Sequence, residues 1–110
     1  MEIIKFSDWE KLDLRTGKII EVKDIENTDK LYKLLLDLGK EKRTLVAGLK
    51  PYYKKEELQG KGCIVFTNLE PRKIRGIESQ GMILAASSED KNKVRLLQPD
   101  EEIKEGSRVS

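Results

Sequence analysis

From Leu31 to Leu38 the chain alternates: Tyr32, Leu34, Leu36 and Leu38 fall on one side, and Lys33, Leu35 and Asp37 on the other. A period of two is the side-chain period of an extended strand, so this segment separates its two faces only within a sheet. Asp13 to Asp24 repeats the pattern less regularly, and Gly17 interrupts one face, which predicts a bulge or sharp bend there. Such a kink lets one long strand serve two parts of a small closed sheet. Further strands are expected over Arg43–Ala47, Gly62–Asn68, Met82–Ser87 and Val94–Leu97. Ser7-Asp8-Trp9-Glu10 has the form of a capping box and predicts a short helix from Asp8 to Leu12, and Lys54–Leu58 predicts another, stopped by Gly60. Short strands without strand–helix alternation argue against a doubly wound fold and for an all-β one.

With 110 residues the chain has room for one domain, 1–110, and one modest core. Its net charge of +2 says little about partners, but the distribution is uneven. Residues 42–76 carry nine bases and three acids, a net +6, whereas each flank is −2. Within that middle third, Arg72, Lys73 and Arg75 follow Pro71, with no acid until Glu78. Pro71 ends the preceding strand, and Gly76 and Gly81 permit backbone angles that other residues resist, so 71–82 reads as a basic loop slung between two strands. Three cations in four residues are costly to bury unpaired and suit a polyanion, although on charge alone a solvated surface is the better reading.

The inventory for catalysis is thin. There is no histidine, hence no histidine-based triad or metal ligand. The one cysteine, Cys63, lies in the apolar run Ile64-Val65-Phe66 and reads as inert packing. A lone cysteine forms no disulfide framework, which agrees with a reducing cytoplasm. No phosphate-binding glycine loop, leader or membrane-spanning stretch is visible, and no cofactor is expected. Aromatic residues are 5% of the chain, and Phe6, Tyr32, Tyr52, Tyr53 and Phe66 are scattered and mostly expected inside. If the polyanion is RNA, that disfavours a stacking platform for single strands and favours recognition of a folded molecule by shape and backbone.

Asn68-Leu69-Glu70-Pro71-Arg72-Lys73-Ile74-Arg75-Gly76-Ile77-Glu78-Ser79-Gln80-Gly81-Met82 resembles the signature of the tRNA-binding domains found at the C-terminus of bacterial methionyl-tRNA synthetases, in the endothelial-monocyte-activating polypeptide and in free-standing tRNA-binding proteins. Asp13-Leu14-Arg15-Thr16-Gly17-Lys18-Ile19-Ile20, Asp29-Lys30-Leu31-Tyr32 and Ala47-Gly48-Leu49 match as well, so the resemblance covers nearly the whole chain. It looks most like a free-standing, archaeal-type beta subunit of methionyl-tRNA synthetase. The resemblance implies an OB-fold, a five-stranded Greek-key barrel, here with short helices and N- and C-terminal extensions. It also implies a non-catalytic protein that binds tRNA, assists the catalytic subunit of methionyl-tRNA synthetase in trans and forms a homodimer. Members often carry a His-Pro pair where this chain has Ile25-Glu26-Asn27-Thr28.

On that basis the RNA-binding candidates are Lys30, Asn68, Arg72, Lys73, Arg75, Ser79, Gln80 and Met82. Ser79 is expected to hydrogen-bond a phosphate or ribose hydroxyl. Met82 has two readings, a surface residue against a base or sugar and a core methionine, and Asn68 a second one as a brace for the loop. The ends carry apolar residues that a small barrel does not need: Ile3, Ile4, Phe6 and Trp9 in front, and Val94, Leu96, Leu97, Ile103 and Val109 behind. These are the candidates for a dimer interface, the alternative being that the ends fold back over their own barrel. Export-type chaperones share the barrel and similar end segments, so a dimeric peptide-binding chaperone is the competing function.

Overall fold

The longest element is β1, Leu14–Asp24, in a computed structural model that describes residues 1–110. Around it lie α1 (Phe6–Trp9), β2 (Tyr32–Asp37), β3 (Lys42–Ala47), α2 (Lys55–Leu58), β4 (Gly62–Phe66), β5 (Arg72–Ile74), β6 (Ile77–Ser79), β7 (Met82–Ile83), β8 (Ala85–Ser87), β9 (Val94–Leu96) and β10 (Arg108–Val109). β1 does serve two parts of the sheet: Leu14–Lys18 pairs with β4, and Lys18–Asp24 pairs with β2. The irregularity that permits this is at Ile20, not Gly17. Ile19 stands opposite Leu36 and Glu21 opposite Leu35, so Ile20 is the extra residue, and Ile19 and Val22 both reach the interior. Gly17 sits in unbroken register with Cys63, and its missing side chain makes room: a Cβ there would lie 2.8 Å from Leu38 Cδ2.

The alternation of β2 is realised in full, with Tyr32, Leu34, Leu36 and Leu38 buried. The strands run in the order β3-β2-β1-β4-β7. The ring is then drawn together between β7 and β3, where the Gln80 amide donates to the Thr44 carbonyl at 2.9 Å and the Thr44 amide donates to Gln80 Oε1 at 3.2 Å. The result is an OB-like barrel with short helices, and α2 enters between β3 and β4. Leu58 of α2 is fully buried beside Ile19, Leu34, Leu36, Leu45 and Val65. Burial of each such side chain stabilises the fold by about 2 kcal/mol.

Three local expectations are corrected. Segment 71–82 is a β5–β6 hairpin rather than a loop, and the strand expected over Met82–Ser87 is divided into β7 and β8, which join different partners. The first helix begins at Phe6, with Lys5 at its cap and no side-chain capping bond, so Ser7 lies inside it. This turn is fully exposed, so water satisfies its free amides without Ser7. Phe6 is accordingly exposed at 71%, not packed inside.

The C-terminal segment covers a sheet edge. β10 pairs Val109 with Leu14 and Arg108 with Arg15 on the edge of β1 opposite β4, along the first residues of that edge, which β2 does not reach. Thr16 ties the segment down further. Its amide donates to Ser107 O (2.9 Å), its carbonyl accepts from Gly106 N (2.8 Å) and its hydroxyl donates to Lys104 O (3.0 Å). Gly106 has φ +86°, and a Cβ would run into the Leu38 carbonyl, so only glycine lets this segment lie against the β2–β3 turn. Val94 and Leu96 pack against the barrel's own core, and Val109 is half-buried beside β1. These three lie against their own barrel.

Candidate nucleic-acid interface

Pro71 precedes β5, and the hairpin registers Arg72 with Ser79, Lys73 with Glu78, and Ile74 with Ile77. Its turn is Arg75 (φ +54°) and Gly76 (φ +78°), the double left-handed geometry of a tight hairpin. Such a φ is uncommon for a residue with a side chain, and it places Arg75 at the tip. Along β6 the alternation turns Glu78 outward and Ser79 inward, where it is 5% exposed, and Arg72, Lys73 and Arg75 are exposed as well. Neither Arg72, Lys73, Arg75, Lys30 nor Lys33 has a carboxylate within 4.0 Å, even though Glu78 stands across from Lys73. These cations are available to an external anion.

Arg75 and Ile77 form one wall of an open cleft whose other side is the end of the β1–β2 hairpin, Lys23, Asp24, Ile25, Glu26, Asn27 and Lys33. Lys33 lines this cleft with Arg75, and the family resemblance did not mark it. The signal was nevertheless present, because the alternation that buries Tyr32 and Leu34 turns Lys33 outward, and the register sets it against Lys23. Asp24 and Glu26 are the acids in this cleft, and Asp24 is already occupied: Lys55 Nζ is 2.7 Å from one carboxylate oxygen and Lys50 Nζ 3.0 Å from the other. The hydrogen bonds from Lys55 and then Lys50 hold the Asp24 carboxyl below its ordinary range, and Asp24 in turn raises the Lys55 ammonium.

Of the eight predicted RNA contacts, Lys30, Arg72, Lys73, Arg75 and Met82 are on the surface, with Met82 46% exposed, so the core reading of Met82 fails. The other three are engaged within the fold. Ser79 Oγ accepts from the Val46 amide (3.0 Å) and donates to the Gly81 carbonyl (3.2 Å), so burial and two bonds remove it from a direct phosphate or ribose contact. Gln80 spends its amide and side-chain oxygen on Thr44. Asn68 is the brace: its Nδ2 donates to Lys11 O (2.7 Å), and its Oδ1 accepts from Asp13 N (2.8 Å). Sequence reasoning also missed Arg43, whose Nη1 donates to the Thr67 and Gln80 carbonyls on either side of the hairpin's root. Asp13 completes this root. Its carboxylate accepts from Arg15 and from the Thr67 hydroxyl, and these bonds, Arg15 first, hold its pKa below the ordinary value against a smaller effect of burial.

Elsewhere the chemistry is sparse. Burial pushes the Cys63 thiol up to about 12, so it carries no thiolate at neutral pH. No three His, Cys, Asp or Glu side chains gather as metal ligands, and no helix is long and apolar enough to cross a membrane. Ile4, Phe6, Trp9 and Leu12 form an apolar recess on the N-terminal arm, and Ile3, Leu97 and Ile103 are also exposed.

Comparison with known proteins agrees with this geometry. A family model described as a putative tRNA binding domain matches residues 14–108. A methionine–tRNA ligase of Pyrococcus horikoshii is 63% identical over 109 residues, which are 99% of this chain and 15% of that protein. A methionine–tRNA ligase of Methanocaldococcus jannaschii is 52% identical over 109 residues, 99% of this chain and 17% of that protein. The chain therefore spans only about a sixth of the length of these curated relatives. Among solved structures, a MetRS related protein from Pyrococcus horikoshii superposes with a TM-score of 0.94 at 40% identity, covering 100% of both chains. The chaperone CsaA of Bacillus anthracis superposes with a TM-score of 0.89 at 25% identity, covering 99% of this chain and 100% of that one. The match along 14–108, the relatives at more than half identity and the whole-chain superposition converge on one assignment: this chain belongs to the family of putative tRNA binding domains.

Proposed function

We propose that this chain is a non-catalytic RNA-binding protein of the cytoplasm that holds folded tRNA by its backbone and serves a methionine–tRNA ligase in trans. The observation that carries the reading is the group of uncompensated cations, Arg72, Lys73 and Arg75 on the hairpin, Lys33 across the cleft from Arg75 and Lys30 in the β1–β2 connection, in the region where OB barrels take oligonucleotides. Contacts of this kind carry charge and little sequence information, and no row of exposed aromatics is present for stacking. A second attachment point raises the ligase's affinity for its tRNA through effective concentration without any new catalytic contact. Titration with tRNA and with a single-stranded RNA of equal length tests the reading. Preferential binding of tRNA is expected, and equal binding contradicts recognition of folded RNA.

We further propose a homodimer held by the N-terminal arm, where Ile3, Ile4, Phe6 and Trp9 expose apolar surface beside Leu97 and Ile103 elsewhere on the molecule. Patches of this kind on small proteins are ordinarily covered. Sedimentation equilibrium is expected to give twice the 12.7 kDa chain mass, and the variant I3S/I4S/F6S is expected to give the single mass with an unchanged fold. A wild type that stays at single mass across the concentration range contradicts the dimer. The similarity to a chaperone supports a second reading, in which the exposed arm binds unfolded chains. Suppression of aggregation without measurable tRNA affinity would favour it.

A further inference from the structure

Asp24 stands at the one place where the basic face meets an acid that is fully engaged. It borders the cleft on the same side as Lys33 and opposite Arg75, and its two carboxylate oxygens are divided between Lys55 at 2.7 Å and Lys50 at 3.0 Å. Both lysines adjoin the binding face. Lys50 donates its amide to the Lys30 carbonyl (3.3 Å) and lies 6.0 Å from the Tyr32 ring centroid, while Lys55 opens α2. Asp24 thus gathers Lys50 and Lys55 beside a cleft in which Lys33 and Arg75 have no carboxylate within 4.0 Å. Glu26, in the same cleft, has no cation within 4.0 Å, so it adds charge without capturing a lysine.

Building on the RNA-binding reading above, we propose that Asp24 is a specificity-determining residue that withholds Lys50 and Lys55 from the RNA backbone. A flexible strand can lay a phosphate wherever a cation is free, so each cation removed from the surface weakens it. A folded tRNA presents its phosphates in fixed places and depends on the cations left free, those of the hairpin with Lys30 and Lys33. Capturing two lysines therefore penalises promiscuous strands more than the preferred shape. The Asp24 pairs are exposed, so their contribution to the fold is small and neutralising the acid leaves the barrel intact.

The test is a titration of wild type, D24N, E26Q and D24N/K50Q/K55Q with tRNA and with single-stranded RNA of equal length at several salt concentrations. Circular dichroism serves as the check on folding. D24N is expected to bind the single strand roughly 3- to 10-fold more tightly and tRNA by a smaller factor. Its single-strand plot of log affinity against log salt should steepen by up to ~0.7 for each lysine released. In the triple variant the gain disappears, and E26Q leaves the slope unchanged. Equal or weaker single-strand binding by D24N, a gain that survives in the triple variant, or a slope change in E26Q as large as in D24N each overturns the proposal. A wild type that binds neither RNA instead contradicts the RNA-binding reading on which it rests.

Discussion

Asp13 shows how a single carboxylate holds the root of the functional hairpin. It receives Arg15 and the Thr67 hydroxyl, while its backbone amide is bonded by Asn68, two residues after the end of β4. Its folded pKa lies below the ordinary 3.8, so the stability it adds is present in full above that value and is lost as pH falls through the lower folded value. D13N is expected to lower stability by about 1 kcal/mol at pH 7, and the deficit should shrink as pH falls below ~4. Thermal melts of both proteins from pH 7 to pH 2 check this, and a deficit independent of pH would contradict it. The sequence alone did not disclose this role, because Asp13, Thr67 and Asn68 are brought together by the β1–β4 pairing rather than by proximity along the chain. Lys33 was legible in principle, but charge without a register does not say which cations share a cleft.

At the scale of elements, the strands with clean alternation were the readable ones. β2 carries its pattern without interruption, and every expected inward residue is buried. β5–β6 was not readable as a hairpin, because its turn uses Arg75 in a left-handed conformation that residues with side chains rarely adopt, and because Pro71 and the glycines read as loop punctuation. The bend falls at Ile20 rather than Gly17 for a similar reason: a glycine in a strand marks either a bend or a close approach, and only the packing of Leu38 decides which. Ser79 joins the hairpin to the barrel through the Val46 amide, so S79A leaves that donor without its partner. A loss of about 1–2 kcal/mol in denaturant melts is expected. Because Ser79 touches no phosphate in this account, S79A should weaken tRNA binding without changing its salt slope. A reduced slope would make Ser79 a direct RNA ligand after all.

Over the whole molecule, the barrel, the order of its strands and the basic hairpin combine into one surface, with the apolar arm as a separate feature. The C-terminal segment is less separable than its sequence implied: Thr16 binds Lys104, Gly106 and Ser107, and β10 caps β1, so removing residues 94–110 would injure the barrel itself. Point substitutions on the arm are for this reason the proper probe of the dimer. The class of fold was legible because short strands dominate the pattern, and the cations proposed to meet RNA were visible as a cluster. Their availability was not, since it depends on which carboxylates stand within reach in space. Availability is also where the account is most exposed to test, in the salt dependence of the tRNA titration for wild type and R72A/K73A/R75A. The hairpin cations are exposed and unpaired, so the variant should fold normally and bind tRNA less tightly, with a slope flatter by up to ~0.9 for each duplex phosphate that is no longer neutralised. A folded variant whose affinity and salt slope match the wild type would contradict the central claim and place the RNA on another face of the barrel.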